Sequence, residues 1–156
     1  MESVYIETTF LSYLVARPSR DLIVAAHQQI TNEWWSQHRS QFECYVSQVV
    51  IDEASAGDPE EVSKRLGILA DLLVLEAAPE AEELATALLS SGVTPPRAVG
   101  DAAHIAIATV NAVDYLLTWN CRHLANAQTV RRVSTVCQKY GHRMPVICTP
   151  EELMGG

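Results

Sequence analysis

Short apolar runs alternate with longer segments of helical period along nearly the whole chain. Val4-Tyr5-Ile6, Cys44 to Ser47, Leu72 to Leu75, Tyr115 to Trp119 and Val146 to Cys148 each have the length and composition of a buried strand. Between them lie segments with apolar residues at helical spacing. Phe10 to Ala16 predicts one or two turns halted by Pro18. Asp21 caps a segment running to about His38, in which Leu22, Ala25, Ala26, Gln29, Ile30 and Trp34 recur. Val49 to Ala56 precedes Gly57, Pro59 opens a helix to about Asp71, and Glu80 to Ser91 is broken by Gly92 and Pro95-Pro96. Ala98 to Val113 is apolar almost all round and so predicts a heavily buried helix. Leu124 to Tyr140 ends at Gly141, and Pro150-Glu151-Glu152 forms a last turn. Trp34 and Trp35 are adjacent and face different ways, one toward the core and the other toward an interface or partly covered surface.

Strands separated by helices predict an α/β fold, with a mainly parallel sheet of four or five strands and helices on both faces in three layers. In such a sheet the carboxyl ends of the strands line one crevice, where residues far apart in sequence converge. Four polar residues stand at those ends or at the helix starts beyond them: Glu7 after Val4-Tyr5-Ile6, Glu53 after Val49-Val50-Ile51, Asp101 in the apolar helix, and Asn120 after Trp119. Carboxylates gathered in a crevice supply the oxygen ligands and the negative charge that a hard divalent cation requires. Asp101 stands out, because an acid in so apolar a helix is costly unless something pairs with it. Asp52 and Glu53 point about 100° apart on a helix, so only one of them can face the crevice. Asp114 precedes its strand and belongs to the opposite edge of the sheet.

A length of 156 residues with 48% hydrophobic content is expected to build one domain, spanning 1–156, around a sizeable core. No run of about 18 apolar residues is present, and the first strand begins at Val4, which predicts a cytoplasmic protein with no membrane span and no signal peptide. Cys44, Cys121, Cys137 and Cys148 lack zinc-site spacing and are expected to be reduced, mostly buried thiols. The run Asn120-Cys121-Arg122-His123 has no second ligand pair to complete a zinc site. The net charge of −8 argues against a general nucleic-acid coat protein. Residues 97–143, however, hold six basic and two acidic side chains, so that stretch carries +4 and the remainder −12. These arginines and lysine either hold phosphates at the edge of an acidic centre or solvate an outer helix face.

In order and spacing, Val4-Tyr5-Ile6-Glu7-Thr8-Thr9, Ser47-Gln48-Val49-Val50-Ile51-Asp52-Glu53, Gly100-Asp101-Ala102-Ala103-His104-Ile105-Ala106 and Tyr115-Leu116-Leu117-Thr118-Trp119-Asn120 resemble the PIN domain. This is the metal-dependent nuclease fold of VapC-type toxins, and the resemblance covers essentially the whole chain. It implies cleavage of RNA with Mg²⁺ or Mn²⁺, Glu7 and Asp101 as direct ligands, Glu53 rather than Asp52 completing the shell, and Asn120 coordinating or positioning a water. It also implies a small antitoxin partner, a basic side chain of which would enter the acidic site, and a homodimer. The family usually has Asp at the position of Glu7 and often at that of Asn120. The extra methylene of Glu7 moves the carboxylate by about 1.5 Å, and Asn120 removes a charge, which favours one resident ion with a second arriving with the RNA.

Around these four, Thr8 and Thr9 either bond a metal-bound water or phosphate or cap the following helix. His104, one helical turn after Asp101, is either a partner of the site or a satisfied core histidine, and Arg122 is a candidate phosphate contact. Arg17 and Arg20 are loop charges within reach of RNA or simply solvated. A second functional class is a PIN-like module weakened in catalysis that binds RNA or protein. A phosphoryl-transfer enzyme ranks last, because Glu7 is a poor phosphoryl acceptor and no Gly-rich phosphate loop is present.

Overall fold

Each of the apolar runs becomes a strand of one sheet in the computed structural model, which describes residues 1–155. The strands are β1 (Ser3–Ile6), β2 (Glu43–Ser47), β3 (Leu73–Leu75), β4 (Tyr115–Leu117) and β5 (Val146–Cys148). Their order is β3-β2-β1-β4-β5 and every pair is parallel. The chain builds outward from β1 through β2 to β3, then returns to the other side of β1 for β4 and β5. The reversal between β1 and β4 opens a crevice beyond their carboxyl ends. Pairing of Ile6 with Leu117 sets Glu7 and Thr118 side by side at its floor.

Among the described residues seven α-helices flank the sheet: α1 (Thr8–Val15), α2 (Leu22–Glu33), α3 (Gln48–Ala54), α4 (Pro59–Leu69), α5 (Pro79–Ser90), α6 (Val99–Val110) and α7 (Ala127–Lys139). Their contacts divide them into two groups, α1 to α4 and α5 to α7, which meet where α3 touches α6. The core between these layers contains Tyr5, Ile6, Phe10, Leu11, Trp34, Leu84, Leu88, Ile105, Leu116 and Leu117, all buried. Among the described residues no helix is long and apolar enough to cross a membrane. Cys137 and Cys148 are buried, Cys44 is half-buried and Cys121 is exposed; all four are free thiols.

Several boundaries differ from the periodicity, each for an identifiable reason. α1 begins two residues early because the Glu7 side chain caps it, accepting from Thr9 N. α2 stops at Glu33 and continues as a π-helical turn, Trp34–His38, then a 3-10 turn, Arg39–Gln41. The widened turn, closed by Arg39 N donating to Trp34 O, separates the two tryptophans. Trp34 is buried against Phe10 and Phe42, while Trp35 remains half-buried with the Arg39 guanidinium 4.1 Å above its ring. α7 starts at Ala127, not Leu124, since Asn126 adopts an extended backbone and its side chain accepts from Gln128 N and Thr129 N. The β4 ladder ends at Leu117 instead of Trp119, because Trp119 N donates to the Thr9 hydroxyl at 2.9 Å.

Candidate metal centre and its cleft

Glu7 stands at the β1–α1 junction. Its N–H donates to Leu117 O at 3.0 Å, extending the β1–β4 pairing by one residue, and its side chain turns back over α1. Oε2 accepts from Thr9 N at 3.1 Å, and Oε1 accepts from the hydroxyls of Thr9 at 2.5 Å and Thr118 at 2.6 Å. Glu7 is only 4% exposed, so protein donors rather than bulk water compensate the buried carboxylate.

Glu53 enters the crevice from α3, which starts as β2 ends. Ser47 caps this helix, its hydroxyl accepting from Val50 N at 3.4 Å. Glu53 Oε1 accepts from the Thr8 hydroxyl at 2.5 Å and lies 2.7 Å from His104 Nε2. Asp52 is taken up elsewhere, accepting from Gln48 Nε2 at 2.9 Å. Partial burial pulls the Glu53 carboxyl upward, but the hydrogen bonds from His104 and Thr8 outweigh it and hold the group below its ordinary value.

The other Glu53 oxygen lies against the first turn of α6, where a β-carbon on Gly100 would come within 2.6 Å of it. The obstacle is the end of a flexible side chain, so Gly100→Ala is expected to leave the melting temperature unchanged or raise it, alanine being the better helix former by about 1 kcal/mol. For a divalent ion held between Glu53 and its neighbours, displacing this carboxylate is expected to cost about 10–100-fold in affinity. Calorimetric titration beside thermal unfolding checks both; an unchanged affinity would show that the place of Glu53 is immaterial to the ion.

His104 projects from α6 into the same space and is fully buried. Its Nε2 stands 2.7 Å from Glu53 Oε1 and 4.0 Å from Glu7 Oε2. On the other side Nδ1 is 2.7 Å from the Tyr5 hydroxyl, which is 2.6 Å from the Ser47 hydroxyl. Burial pushes the Tyr5 phenol far above its ordinary value, and the nearby Glu7 and Glu53 carboxylates add to this although the Ser47 hydrogen bond opposes it, so the phenol keeps its proton. One ligand atom from each of Glu7, Glu53 and His104 lies within 4.8 Å of the others, a spacing suited to one metal ion.

Asp101 and Asn120 form an adjoining group. Asp101 Oδ1 accepts from Asn120 Nδ2 at 3.3 Å, and Oδ2 lies 3.2 Å from His123 Nδ1. The Asn120 carbonyl accepts from His123 N at 2.9 Å, and Asn120 N donates to the Thr118 hydroxyl at 2.9 Å. Thr118 therefore couples this group to Glu7. Asp101, Glu53, Arg97, Arg122 and His123 line an open cleft of about 470 Å³. Both signs of charge thus meet at its walls.

Of the residues expected from the sequence, Glu53, Thr8 and His104 form one hydrogen-bonded set and Glu7 with Thr9 another, the two meeting where His104 Nε2 stands 4.0 Å from Glu7. Asp101 and Asn120 stand beside it, and Arg122 lines the cleft. His104 bonds to Glu53, not to Asp101. Thr118, Tyr5, Ser47 and His123 were not among the expected site residues. Thr118, two residues before Asn120, lies within a segment already singled out, and His123 sits in the run Asn120 to His123, whose use proves to be support of Asp101. Arg17 pairs with Glu60 at 2.9 Å on the exposed surface. Asp114 lies at the other end of the sheet, where hydrogen bonds from Ser3 hold its carboxyl below the ordinary range.

The sheet order and the crevice at its switch point define a doubly wound, three-layer parallel α/β fold. The chain is similar in fold to the crystal structure of VapBC2 from Rickettsia felis bound to a DNA fragment from their promoter, with a TM-score of 0.59 over 94% of this chain and 97% of that one. Sequence identity is 13%, so the likeness is one of architecture. No protein-family model and no curated protein sequence matches the chain.

Proposed function

We propose that this chain is a divalent-metal-dependent endoribonuclease, acting as the toxin of a toxin–antitoxin pair. The observation that carries the reading is the convergence of Glu7, Glu53 and His104, with Glu53 also lining a cleft walled by Asp101, Arg97 and Arg122. The ion would be Mg²⁺ or Mn²⁺, held by Glu7 and Glu53 with Asp101 as a further carboxylate. When bound it supplies an activated water and stabilises the leaving oxygen. The chain's own residues do the rest. Thr9 and Thr118 fix the Glu7 carboxylate, Thr8 fixes Glu53, and Asn120 with His123 fixes Asp101. Arg97 and Arg122 offer guanidinium groups to the RNA phosphates on either side of the reacting one.

An antitoxin segment with a basic side chain matches the acidic end of this cleft, and the fold neighbour is itself a VapBC protein, which supports such a partner. The same reading carries a homodimer and a cytoplasmic location. A second reading, a PIN-like module that binds RNA or protein without efficient cleavage, is favoured by Asn120, whose carbonyl is engaged by His123 N and whose amide is engaged by Asp101.

Cleavage of a mixed-sequence single-stranded RNA with Mn²⁺, Mg²⁺ or EDTA separates the two. The expected result is metal-dependent cutting that EDTA abolishes and that Asp101→Ala lowers by about 10–100-fold, the scale of losing a support of the metal shell. No cutting by folded wild-type protein with either ion would leave the binding module as the function.

A further inference from the structure

We propose that His104 is a nitrogen ligand of this centre, positioned by the buried Tyr5–Ser47 pair, and that it makes the site prefer Mn²⁺ to Mg²⁺. The inference rests on the metal-dependent reading above and assigns the centre a ligand type and an ion preference that carboxylates alone would not give.

The geometry comes first. Nε2 is the only nitrogen among the three atoms that converge, and it is directed at both carboxylates. Neighbouring ligand atoms on one small divalent ion stand about 3 Å apart. The contact of 2.7 Å between Nε2 and Glu53 Oε1 need open only slightly, while the 4.0 Å separation from Glu7 already leaves room. No other described carboxylate touches the imidazole. Its remaining polar partner is the Tyr5 hydroxyl at Nδ1.

That partner is what permits an exchange of proton for ion. A backbone carbonyl at Nδ1 would accept only and hold one tautomer, whereas a hydroxyl both donates and accepts. Without an ion, Ser47 O–H donates to Tyr5, Tyr5 O–H donates to Nδ1, and Nε2–H donates to Glu53. With an ion on Nε2, Nδ1–H donates to Tyr5 and Tyr5 O–H donates to Ser47. Ser47 Oγ has lone pairs enough to accept from Val50 N as well. One proton leaves Nε2 and one is taken up at Nδ1, so the ring stays neutral and both buried partners stay bonded in either state. A metal-binding histidine is commonly oriented through its second nitrogen in this manner, and loss of such a partner costs about 10–100-fold in affinity.

Ion preference follows from the donor set. Mg²⁺ favours oxygen donors and yields its water shell reluctantly, whereas Mn²⁺ accepts carboxylate and gains more from imidazole. Two carboxylates and one imidazole should therefore favour Mn²⁺ by at least about tenfold.

The test is calorimetric titration of the intact chain with MnCl₂ and with MgCl₂, using wild type, His104→Gln, Tyr5→Phe and Glu7→Gln, each checked for cooperative unfolding. Mn²⁺ broadening of the His104 ring signals in nuclear magnetic resonance adds a direct readout. Expected are tighter Mn²⁺ than Mg²⁺ binding by wild type, selective broadening at His104, a preference reduced toward unity in His104→Gln, and an Mn²⁺ affinity about 10–100-fold weaker in Tyr5→Phe. Wild-type ion affinities and preference in His104→Gln, with binding still lost in Glu7→Gln, would overturn the inference and leave the metal site standing. Should His104→Gln fail to fold, unchanged Mn²⁺ affinity in Tyr5→Phe overturns it equally. Absence of ion binding by wild type would overturn both readings.

Discussion

Glu7→Gln is expected to lower metal-dependent RNA cleavage by about 10²–10³-fold, an increase of about 3–4 kcal/mol in the barrier, while the protein remains folded. Glutamine keeps the side-chain length, so one oxygen still accepts from Thr9 and Thr118. What is lost is the charge and the second oxygen, where an amide would now face the Thr9 N–H that Oε2 accepts from. Stability should fall by no more than about 1–3 kcal/mol, the range for leaving one buried donor unpaired. Glu7→Asp makes a sharper comparison. Aspartate is usual at the equivalent position of the resembled family, yet here it withdraws the carboxylate by about 1.5 Å from the two hydroxyls that hold it. It is therefore expected to impair cleavage rather than improve it. Single-turnover cleavage with Mn²⁺ measures both variants, and wild-type rates in Glu7→Gln would remove Glu7 from the ion's shell.

Trp34→Ala is expected to destabilise the fold by about 3–5 kcal/mol, the range for removing a buried aromatic ring, and to lower the melting temperature by roughly 10 °C. Trp34 is fully buried, meets Phe10 edge-on at 5.5 Å between ring centroids, and stacks with Phe42 at 5.7 Å. Its indole N–H also donates to Leu153 O at 3.3 Å, tying down the last 3-10 turn, Glu151–Leu153. Trp35→Ala should cost far less, because that ring is half-buried and its exposed-side partner Arg39 contributes about 0.5–1 kcal/mol. Urea unfolding of the two variants checks the contrast. Equal losses would mean that the π-helical turn does not sort the adjacent rings into core and surface.

Much of the architecture was legible because strand and helix signals are local. The alternation of short apolar runs with helical segments located all five strands, and the apolar circumference of Ala98 to Val113 marked α6 as buried before any contact was known. Capping by Asp21 and the proline start at Pro59 were equally readable, since each depends on a few neighbouring residues. Of the boundaries that moved, those of α1, α2 and α7 followed local caps and turns, whereas that of β4 depended on a contact across the fold. β4 ends at Leu117 because the Thr9 hydroxyl, 110 positions away in sequence, takes the Trp119 N–H.

The site divides in the same way. Glu7, Glu53, Asp101 and Asn120 were visible by residue type and by place at strand ends and helix starts, so the acidic character of the crevice was a property of the sequence. Which of them meet was not, because helix phase and the depth at which α3 and α6 dock set distances that no spacing along the chain encodes. Only the tertiary structure turns His104 toward Glu7 and Glu53 and directs Asp101 to Asn120 and His123. It also makes Tyr5 the far partner of the imidazole. Local propensity and apolar periodicity determined the elements and the crevice, whereas the choice of side chains that share one small volume was left to packing.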